Sequence, residues 1–355
     1  MNRRTSRQIT VGGVKIGGDA PITVQSMTNT DTRDAAATIA QIKRLSDAGC
    51  EIVRCAVPDM DAVRAIHEIK AASPIPVVAD IHFNYRLAIE CVAAGVDKIR
   101  INPGNIGGRD RVRAVVAACR GAGVPIRIGV NSGSVEKDLH EQFPHDLPRA
   151  MAESAMRHVR LLEAEDFTDI AVSLKASDVP NTIAAYQDMA QRCDYPLHVG
   201  VTHAGTLRMG SIKGAAGIGG LLAMGIGDTL RVSLAADPVE EVKLGLSILR
   251  AVGLRRDCPE VVACPTCGRC QVDLLPLAEA VEEAVADIHS PIKIAVMGCA
   301  VNGPGEGREA DIGVACGKND GLLFKNGEIL HKVPFEEIVP ALLSMAREWE
   351  KERMT

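Results

Sequence analysis

Eight short apolar runs, rich in β-branched residues, alternate with amphipathic helical stretches along about the first 250 residues, and this alternation constrains the possible folds most. The runs recur roughly every 25 to 40 residues, which is the spacing typical of a (β/α)8 barrel. A doubly wound open sheet is the main alternative. The predicted strands cover residues 22–25, 52–55, 76–79, 98–101, 126–130, 170–172, 197–201 and 229–232. Helical patterns cover residues 35–48, 60–71, 110–120, 147–164 and 239–252.

Near residues 254–259 the pattern changes, and the rest of the chain predicts a separate, smaller α/β domain. We therefore divide the chain into a barrel over residues 1–256 and a second domain over residues 257–355. A hairpin with a Gly12-Gly13 turn precedes the barrel. The second domain contains, in order, a CPTCGRC loop, a helix over residues 274–288, the strand IKIAVMG, a glycine-rich loop, a hairpin turning at Asn326-Gly327 and a closing helix over residues 334–350.

Composition and charge narrow the class of protein. Hydrophobic residues make up 46% of the chain and aromatic residues only 3%, which suits aliphatic α/β layers better than an aromatic-rich β-sandwich. The net charge of -5 opposes a broad attraction to nucleic acid or to an anionic membrane, so any anion site must be local. No stretch is long and apolar enough to span a bilayer, and we expect a cytoplasmic protein.

Cations follow the predicted strands at their carboxyl ends, where barrel enzymes carry their active residues. Five of them are expected to converge on one rim of a protein whose overall charge is negative: Arg54, Arg100, Arg127, Lys175 and Arg231. Guanidinium groups bind phosphate oxygens through paired hydrogen bonds, so the rim predicts a polyanionic ligand, and a diphosphate fits better than a single carboxylate. The alternative for each cation is an ion pair with a nearby acid such as Glu51 or Asp80.

Neutral polar side chains follow the same strands and would complete the anion site. Histidine, asparagine and serine supply hydrogen-bond donors that carry no charge. We predict that four such residues bind substrate beside the cations: His82, Asn102, Asn131 and Ser233. The seventh predicted strand is followed by Thr202 and His203.

Eleven cysteines divide into two groups. Those scattered through the barrel lie in apolar segments, and we interpret them as small buried residues. In the second domain, Cys264, Cys267 and Cys270 lie at intervals of three, and Cys299 follows in a glycine-rich loop. Thiolates at this spacing favour an iron–sulfur cluster over a structural zinc site, which usually shows two close cysteine pairs. The spacing leaves the fourth ligand open between Cys270 and a residue of the Cys299 loop.

Ten segments of the chain resemble those of the bacterial 4-hydroxy-3-methylbut-2-en-1-yl diphosphate synthase family, and together they cover essentially the whole chain. They are, in order, PITVQSMTNTDTRD, EIVRCAVPD, VVADIHFNYRLA, KIRINPGNIG, IRIGVNSGS, VSLKASD, PLHVGVTHAG, GIGDTLRVSL, CPTCGRC and MGCAVNGPGEG. The resemblance implies a barrel joined to a domain that carries a 4Fe-4S cluster. It also implies the cluster ligands, which would be Cys264, Cys267, Cys299 and Glu306, and it leaves Cys270 as a bystander.

The resemblance further implies the reaction and the partners. The reaction is the reductive ring opening and dehydration of 2-C-methyl-D-erythritol 2,4-cyclodiphosphate to 4-hydroxy-3-methylbut-2-enyl diphosphate, in the non-mevalonate isoprenoid pathway. Flavodoxin or ferredoxin would supply the two electrons, and a head-to-tail homodimer would bring each cluster to its partner's barrel. Because a carboxylate binds iron more weakly than a thiolate, substrate oxygen could displace Glu306.

One position departs from the family's pattern. After the seventh strand the family shows Thr-Glu-Ala-Gly, with the acid implicated in proton transfer, whereas this chain has Thr202-His203-Ala204-Gly205. An imidazolium can act as a general acid near neutral pH, so we predict a catalytic role for His203. Phosphate binding is the alternative role for this side chain.

Two other functions are compatible with parts of the pattern. A pterin- or phosphate-binding barrel transferase would use the rim of cations and would carry a structural zinc ribbon in place of a cluster. A ferredoxin-like electron carrier or a zinc-dependent binding module would use the second domain, but such a protein needs no phosphate site.

Overall fold

The computed structural model describes residues 2–102, 105–299 and 309–354. The chain divides into two compact units, Met1–Arg255 and Arg256–Thr355. Within the described residues, the first unit contains an eight-stranded parallel barrel and the second a five-stranded sheet. The predicted fold class, a (β/α)8 barrel followed by a small α/β domain, is confirmed.

The first unit begins with a hairpin, β1 (Ile9–Val11) and β2 (Val14–Ile16). The barrel strands are β3 (Thr23–Met27), β4 (Ile52–Ala56), β5 (Val77–Asp80), β6 (Lys98–Ile101), β7 (Ile126–Asn131), β8 (Ile170–Lys175), β9 (His198–Val199) and β10 (Thr229–Leu230). The helices are α1 (Ala35–Asp47), α2 (Met60–Ala72), α3 (Tyr85–Ala93), α4 (Arg109–Ala122), α5 (Lys137–Gln142), α6 (Leu147–Glu163), α7 (Val179–Arg192), α8 (Leu207–Gly214), α9 (Gly220–Ala223) and α10 (Pro238–Ala251).

Many barrel helices begin at a capping side chain that the sequence supplies. Asp34, Asp59 and Asp178 each accept a hydrogen bond from a backbone N–H in the first turn of α1, α2 and α7, respectively. These bonds satisfy amide groups that have no partner inside the helix. A proline in the first turn of α7 and of α10 costs no hydrogen bond at that position. α10 starts one residue before the helix predicted over residues 239–252, whereas α7 is not among the predicted helices.

The barrel sheet runs in the order β8, β7, β6, β5, β4, β3, β10, β9 and closes between β8 and β9. An isolated parallel bridge joins Val172 to Leu197 at this seam. Next to it, the Tyr186 hydroxyl accepts from Leu174 N at 3.1 Å and donates to His198 O at 2.5 Å. A side chain of α7 therefore replaces a direct strand-to-strand hydrogen bond, which shortens β9 relative to the predicted strand.

The amino-terminal hairpin packs against one end of the barrel. Ile9, Val11 and Ile16 form an apolar cluster with Ile52, Val78 and Ala171, which lie on β4, β5 and β8. These three strand residues are fully buried. The opposite end, where the strands finish at their carboxyl ends, is left to carry the polar residues.

The second unit has a mixed sheet in the order β11, β12, β13, β14, β15. Its elements are β11 (Glu260–Ala263), α11 (Leu274–Ala284), β12 (Lys293–Met297), β13 (Ile312–Cys316), β14 (Asp320–Lys325), β15 (Glu328–Pro334) and α12 (Ile338–Met354). β11, β12 and β13 are parallel, whereas β14 and β15 form an antiparallel hairpin whose turn is Asn326-Gly327, as predicted. Both turn residues have positive φ, 51° and 79°, which matches the twist of a two-residue hairpin.

Two predicted helices of the second unit differ from the structure. The helix predicted over residues 274–288 ends at Ala284, and the closing helix predicted from residue 334 begins at Ile338. β15 extends to Pro334, and a 3-10 turn at Phe335–Glu337 separates it from α12. Within the described ranges, no helix combines the length and the apolar character needed to cross a bilayer.

Candidate active site

The interior of the barrel carries charged side chains where barrels usually carry branched aliphatic ones. Asp80 on β5 is aligned with Arg100 on β6, and Arg100 is aligned with Arg127 on β7. All three are buried. Since parallel strands in register place equivalent side chains side by side, these residues form one polar row across three neighbouring strands.

Asp80 connects two of the predicted rim cations. Its carboxylate lies 3.0 Å from Arg100 Nη1 and 3.7 Å from Arg54 Nε. Burial pushes the pKa of Asp80 upward, but the charges of Arg54 and Arg100 outweigh this effect and lower it to about 2. Asp80 is therefore a carboxylate that holds both guanidinium groups in place.

Arg127 is almost completely buried, with 1% of its surface exposed. Its Nε and Nη1 atoms have no hydrogen-bond partner within the described part of the chain. Burial lowers the pKa of Arg127, and the nearby charges of Arg54 and Arg100 lower it further. A buried donor without a hydrogen-bond partner destabilises the folded state, so we expect this guanidinium to bind an anion.

Lys175 lies on β8, close to the charges of four arginines: Arg54, Arg100, Arg127 and Arg231. Burial lowers its pKa well below the ordinary value, and Arg231 and Arg127 add to the effect. The Lys175 Nζ atom lies 3.5 Å from His198 Nε2, and no ion pair joins it to an acid among the residues described here. The imidazole is itself fully buried, and burial followed by the charge of Arg127 lowers the pKa of His198. A neutral imidazole thus supports the lysine.

A cavity of about 290 Å³ lies at the carboxyl ends of the strands, and its lining does not include Arg54, Arg127, Lys175, Arg231 or Ser233. Its lining includes Arg100 and four other residues that the sequence singled out: His82, Asn102, Asn131 and His203. Ser233 is half-buried and follows Arg231 by two residues just beyond β10. The cavity can hold a small polar molecule, and its lining carries both charged and neutral hydrogen-bond donors.

His203 has an exposed side chain on the rim of this cavity and a left-handed backbone conformation, with φ at 50°. Such a φ is uncommon for residues other than glycine and stores backbone strain. Its Nδ1 atom lies 3.4 Å from Thr202 Oγ1. The loop therefore holds the imidazole in a defined position at the mouth.

Of the two acids considered as alternative partners, only Asp80 contacts the rim cations. Glu51 instead bonds to Arg255 Nη2 at 2.8 Å and accepts from Val24 N at 2.7 Å. The pairing alternative thus holds for Arg54 and Arg100, which share Asp80, and for Arg231, which pairs with Glu241 at 3.4 Å.

The cysteines of the second unit are distributed unevenly. Cys267 is exposed, Cys264 and Cys270 are half-buried, and Cys299 is buried. The Gly298 N–H donates to Cys264 Sγ at 3.3 Å. Hydrogen bonding from the backbone N–H of Arg269, and then from its side chain, lowers the pKa of Cys267. This thiol is accordingly biased toward the thiolate form, which is the form that binds metals.

The predicted ligand set is only partly described. Among the described residues, no group of three His, Cys, Asp or Glu side chains is placed to hold one metal ion. Glu306, the predicted fourth ligand, lies outside the described residues. The ligand set therefore remains a prediction.

Two family models match the chain. The GcpE TIM-barrel domain matches residues 6–246, and the GcpE protein C-terminal domain matches residues 260–348. The chain belongs to the GcpE family. Membership confirms the resemblance that the ten sequence segments indicate.

Curated relatives within the GcpE family share more than half of their residues with this chain. A "4-hydroxy-3-methylbut-2-en-1-yl diphosphate synthase (flavodoxin)" from Geobacter sulfurreducens is 59% identical over 96% of this chain and 96% of its own length. A protein of the same name from Ruminiclostridium cellulolyticum is 58% identical over 97% of both chains. These relatives do not favour the transferase with a zinc ribbon.

Solved structures outside the GcpE family share the barrel. A truncated 3-deoxy-D-arabino-heptulosonate 7-phosphate synthase from Thermotoga maritima superimposes with a TM-score of 0.52. It covers 70% of this chain and 94% of its own, at 14% sequence identity. At that identity the likeness shows the fold alone.

Sequence reasoning missed three buried residues of this GcpE barrel, namely Lys98, His198 and Glu241. Lys98 and His198 are the first residues of β6 and β9, so the pattern of polar residues at the carboxyl ends of strands does not indicate them. The alternation of side chains along a strand would have found Lys98, because it lies two residues before Arg100. Glu241 lies in α10, and no strand pattern indicates it.

Proposed function

We propose that this chain catalyses the reductive ring opening and dehydration of 2-C-methyl-D-erythritol 2,4-cyclodiphosphate to 4-hydroxy-3-methylbut-2-enyl diphosphate, a step of non-mevalonate isoprenoid biosynthesis. The observation that carries this proposal is the identity of 59% to a synthase of that product over 96% of the chain. The barrel mouth supports it independently, since its buried cations and unpartnered donors suit a diphosphate.

The barrel residues bind and orient the cyclic diphosphate in this proposal. Five cations grip the phosphate oxygens: Arg54, Arg100, Arg127, Lys175 and Arg231. Neutral donors complete the contacts: His82, Asn102, Asn131 and Ser233. Support comes from Arg127, whose buried Nε and Nη1 have no partner within residues 2–102, 105–299 and 309–354. A phosphate oxygen would supply the missing acceptor and offset the repulsion among the cations.

His203 serves as proton donor to the oxygen that leaves the substrate. It replaces the acid that the family usually carries, and it lines the same cavity as Arg100. Its contact with Thr202 Oγ1 at 3.4 Å supports a fixed ring orientation. General acids within hydrogen-bond reach of a leaving oxygen contribute roughly 100-fold to 10,000-fold to the rate.

The second unit would hold a 4Fe-4S cluster through Cys264, Cys267, Cys299 and Glu306. The donors fit this group in their chemistry, because thiolates are the ligands that iron–sulfur clusters prefer and Cys267 has a lowered pKa. The Gly298 N–H donates to Cys264 Sγ at 3.3 Å, and hydrogen bonds to ligand sulfur atoms are typical of iron–sulfur sites. When bound, the cluster supplies one-electron transfer and a Lewis-acidic iron.

The remaining partners follow from the same proposal. The relatives are named for flavodoxin, and we propose flavodoxin, with ferredoxin as the alternative, as the source of the two electrons. We also propose a cytoplasmic, head-to-tail homodimer in which each barrel works with the partner's cluster. Loss of activity on dilution below the dimer dissociation constant would support this arrangement, and full activity as a monomer would contradict it.

Turnover of the cyclic diphosphate by anaerobically purified protein with reduced flavodoxin tests the proposed function. Formation of 4-hydroxy-3-methylbut-2-enyl diphosphate, together with about four irons per chain, is the expected result. A colourless protein that holds one zinc ion and does not turn over this substrate would overturn it.

A further inference from the structure

The loop of residues 264–271 folds back onto strand β12 and closes around Gly298. Its two ends are fixed by backbone hydrogen bonds, from Cys264 N to Val296 O at 3.4 Å and from Gln271 N to Gly298 O at 2.8 Å. β11 pairs with β12 in parallel, with Ala263 opposite Val296, and this pairing sets the start of the loop. Residues 264 and 270 are therefore brought to the same point although five residues separate them.

The sulfur atoms of Cys264 and Cys270 converge at that point. A β-carbon added to Gly298 would lie 2.3 Å from Cys270 Sγ and 3.5 Å from Cys264 Sγ. Glycine therefore leaves the space that the Cys270 sulfur occupies, and the Cys264 sulfur lies at van der Waals distance from the same point. Neither thiol is linked to another cysteine in the structure.

The surroundings of the two thiols differ from those of Cys267. Cys264 and Cys270 both pack against the apolar core of the second unit, and both are half-buried, whereas Cys267 is exposed. Cys316 lies beneath them on β13, where burial raises its pKa to about 12 and keeps it a thiol. Cys270 thus lies close to Cys264 in space, since both sulfur atoms lie beside Gly298.

We propose that Cys264 and Cys270 form a reversible disulfide when the chain carries no cluster. A glutathione disulfide is a sufficient oxidant. One cysteine, as thiolate, attacks it and releases one reduced glutathione, and the second cysteine, as thiolate, displaces the other. The two cysteines lose two electrons and two protons, and glutathione disulfide gains both. Side-chain rotation can bring the sulfur atoms to the bonding distance of about 2.05 Å, since the backbone already closes the loop.

The disulfide has a consequence for cluster assembly, and this consequence rests on the proposed function, in which Cys264 is a cluster ligand. A sulfur held in a disulfide is no longer a thiolate and cannot bind iron. The cysteine that the family resemblance leaves as a bystander, Cys270, therefore acts as a guard. It protects the ligand Cys264 from irreversible oxidation and blocks cluster insertion until the bond is reduced.

Peptide mapping tests the bond itself. The full-length chain is freed of iron with chelator, reduced, and treated with glutathione disulfide. Trypsin cleaves after Arg269, so Cys264 falls in the peptide 257–269 and Cys270 in the peptide 270–293. We expect these two peptides to be joined under non-reducing conditions. The link should be lost in Cys264→Ser and Cys270→Ser and kept in Cys258→Ser and Cys267→Ser. A link confined to peptide 257–269, or one that survives in Cys264→Ser, would overturn the proposal.

Iron uptake tests the guard role with a different readout. The oxidised wild-type chain should take up no iron from ferrous ion and sulfide until a dithiol reductant is added, whereas Cys270→Ser treated with the same oxidant should recover a larger share of its iron uptake. If untreated Cys270→Ser takes up less iron than untreated wild type, Cys270 is a ligand and the guard role is wrong. If the reduced wild type takes up no iron while the peptide link still forms, the disulfide stands and the proposed function fails.

Discussion

Glu241 of helix α10 forms an ion pair with Arg231, which lies just after strand β10. Arg231 Nη2 lies 3.4 Å from each carboxylate oxygen. The same carboxylate accepts from Leu234 N at 2.9 Å, and only 4% of the Glu241 surface is exposed. A helix that packs outside the barrel thus fixes both a rim cation and the loop that follows it. Arg231 Nε has no partner in the described residues, so one donor remains for a ligand.

Replacing Glu241 with glutamine should destabilise the ligand-free chain and increase its response to an anion. The amide keeps the volume but loses the charge that faces Arg231, so we expect the free energy of unfolding to fall by about 1–3 kcal/mol. Inorganic pyrophosphate would then supply the missing negative charge. We expect pyrophosphate to raise the melting temperature of Glu241→Gln by more than that of the wild type, as measured by differential scanning calorimetry.

Glu240→Gln is the matched control, because this neighbour in α10 is half-buried and its carboxylate pairs with Lys243 alone among the described contacts, at 2.9 Å. We expect its free energy of unfolding to stay within about 0.5 kcal/mol of the wild type. Equal pyrophosphate responses in both variants and the wild type would contradict a role for Glu241 in balancing the rim cations.

Gly129 is a position where a single methyl group should displace a rim cation. A β-carbon there would lie 2.4 Å from Arg100 Nε and 2.9 Å from its Cζ. Arg100 is held by Asp80 at 3.0 Å and by Gly129 O at 3.3 Å, so it cannot retreat without breaking these bonds. We expect Gly129→Ala to lose about 1–3 kcal/mol of stability and to bind pyrophosphate at least about tenfold more weakly by calorimetry.

Gly121→Ala provides the comparison for this prediction, since Gly121 lies near the end of α4 and a β-carbon there meets nothing within 4 Å. The substitution should raise stability by about 0.5–1 kcal/mol and leave pyrophosphate binding unchanged. Wild-type affinity in Gly129→Ala would show that Arg100 does not hold phosphate.

The barrel strands could be located from the sequence because each is a run of buried β-branched residues that has no helical period. Predicted strand 98–101 coincides with β6, and strand 52–55 falls one residue short of β4. The predicted strand over residues 197–201 is longer than β9, because the Tyr186 hydroxyl interrupts the ladder there. Such a contact from a distant helix leaves no local pattern in the sequence.

Only the residues that follow the strands could be predicted as part of the site. Residues that follow an apolar run, such as Arg54 or Arg231, reveal themselves because the carboxyl ends of parallel strands share one edge. Other residues of the site contact these cations from elements that are far apart in sequence. His198 contacts Lys175, and Glu241 forms an ion pair with Arg231. The approach of Cys264 and Cys270 likewise depends on the parallel register of β11 and β12.

The role of His203 can be separated from phosphate binding with two substitutions. If the imidazole donates a proton, His203→Gln should lower kcat by about 100-fold to 10,000-fold and change the affinity for the cyclic diphosphate little. His203→Glu, which restores the acid usual in the family, should retain a large part of the turnover. A rise in KM with an unchanged kcat in His203→Gln would assign the side chain to phosphate binding instead.

Lys98 should make the chain less stable than a neutral residue would. It is fully buried, and among the described residues its Nζ has one weak contact, with Gln25 Oε1 at 3.5 Å. Burial lowers the pKa of Lys98 well below 10.5, and the nearby charge of Arg127 lowers it further. The unfolded chain therefore binds more protons than the folded one, so this residue makes stability rise as pH increases toward 10.5. Lys98→Met should be more stable at pH 7, by about 1–4 kcal/mol in urea unfolding, and this gain should shrink at alkaline pH. The exposed Lys15→Met serves as control, and a less stable Lys98→Met would contradict the prediction.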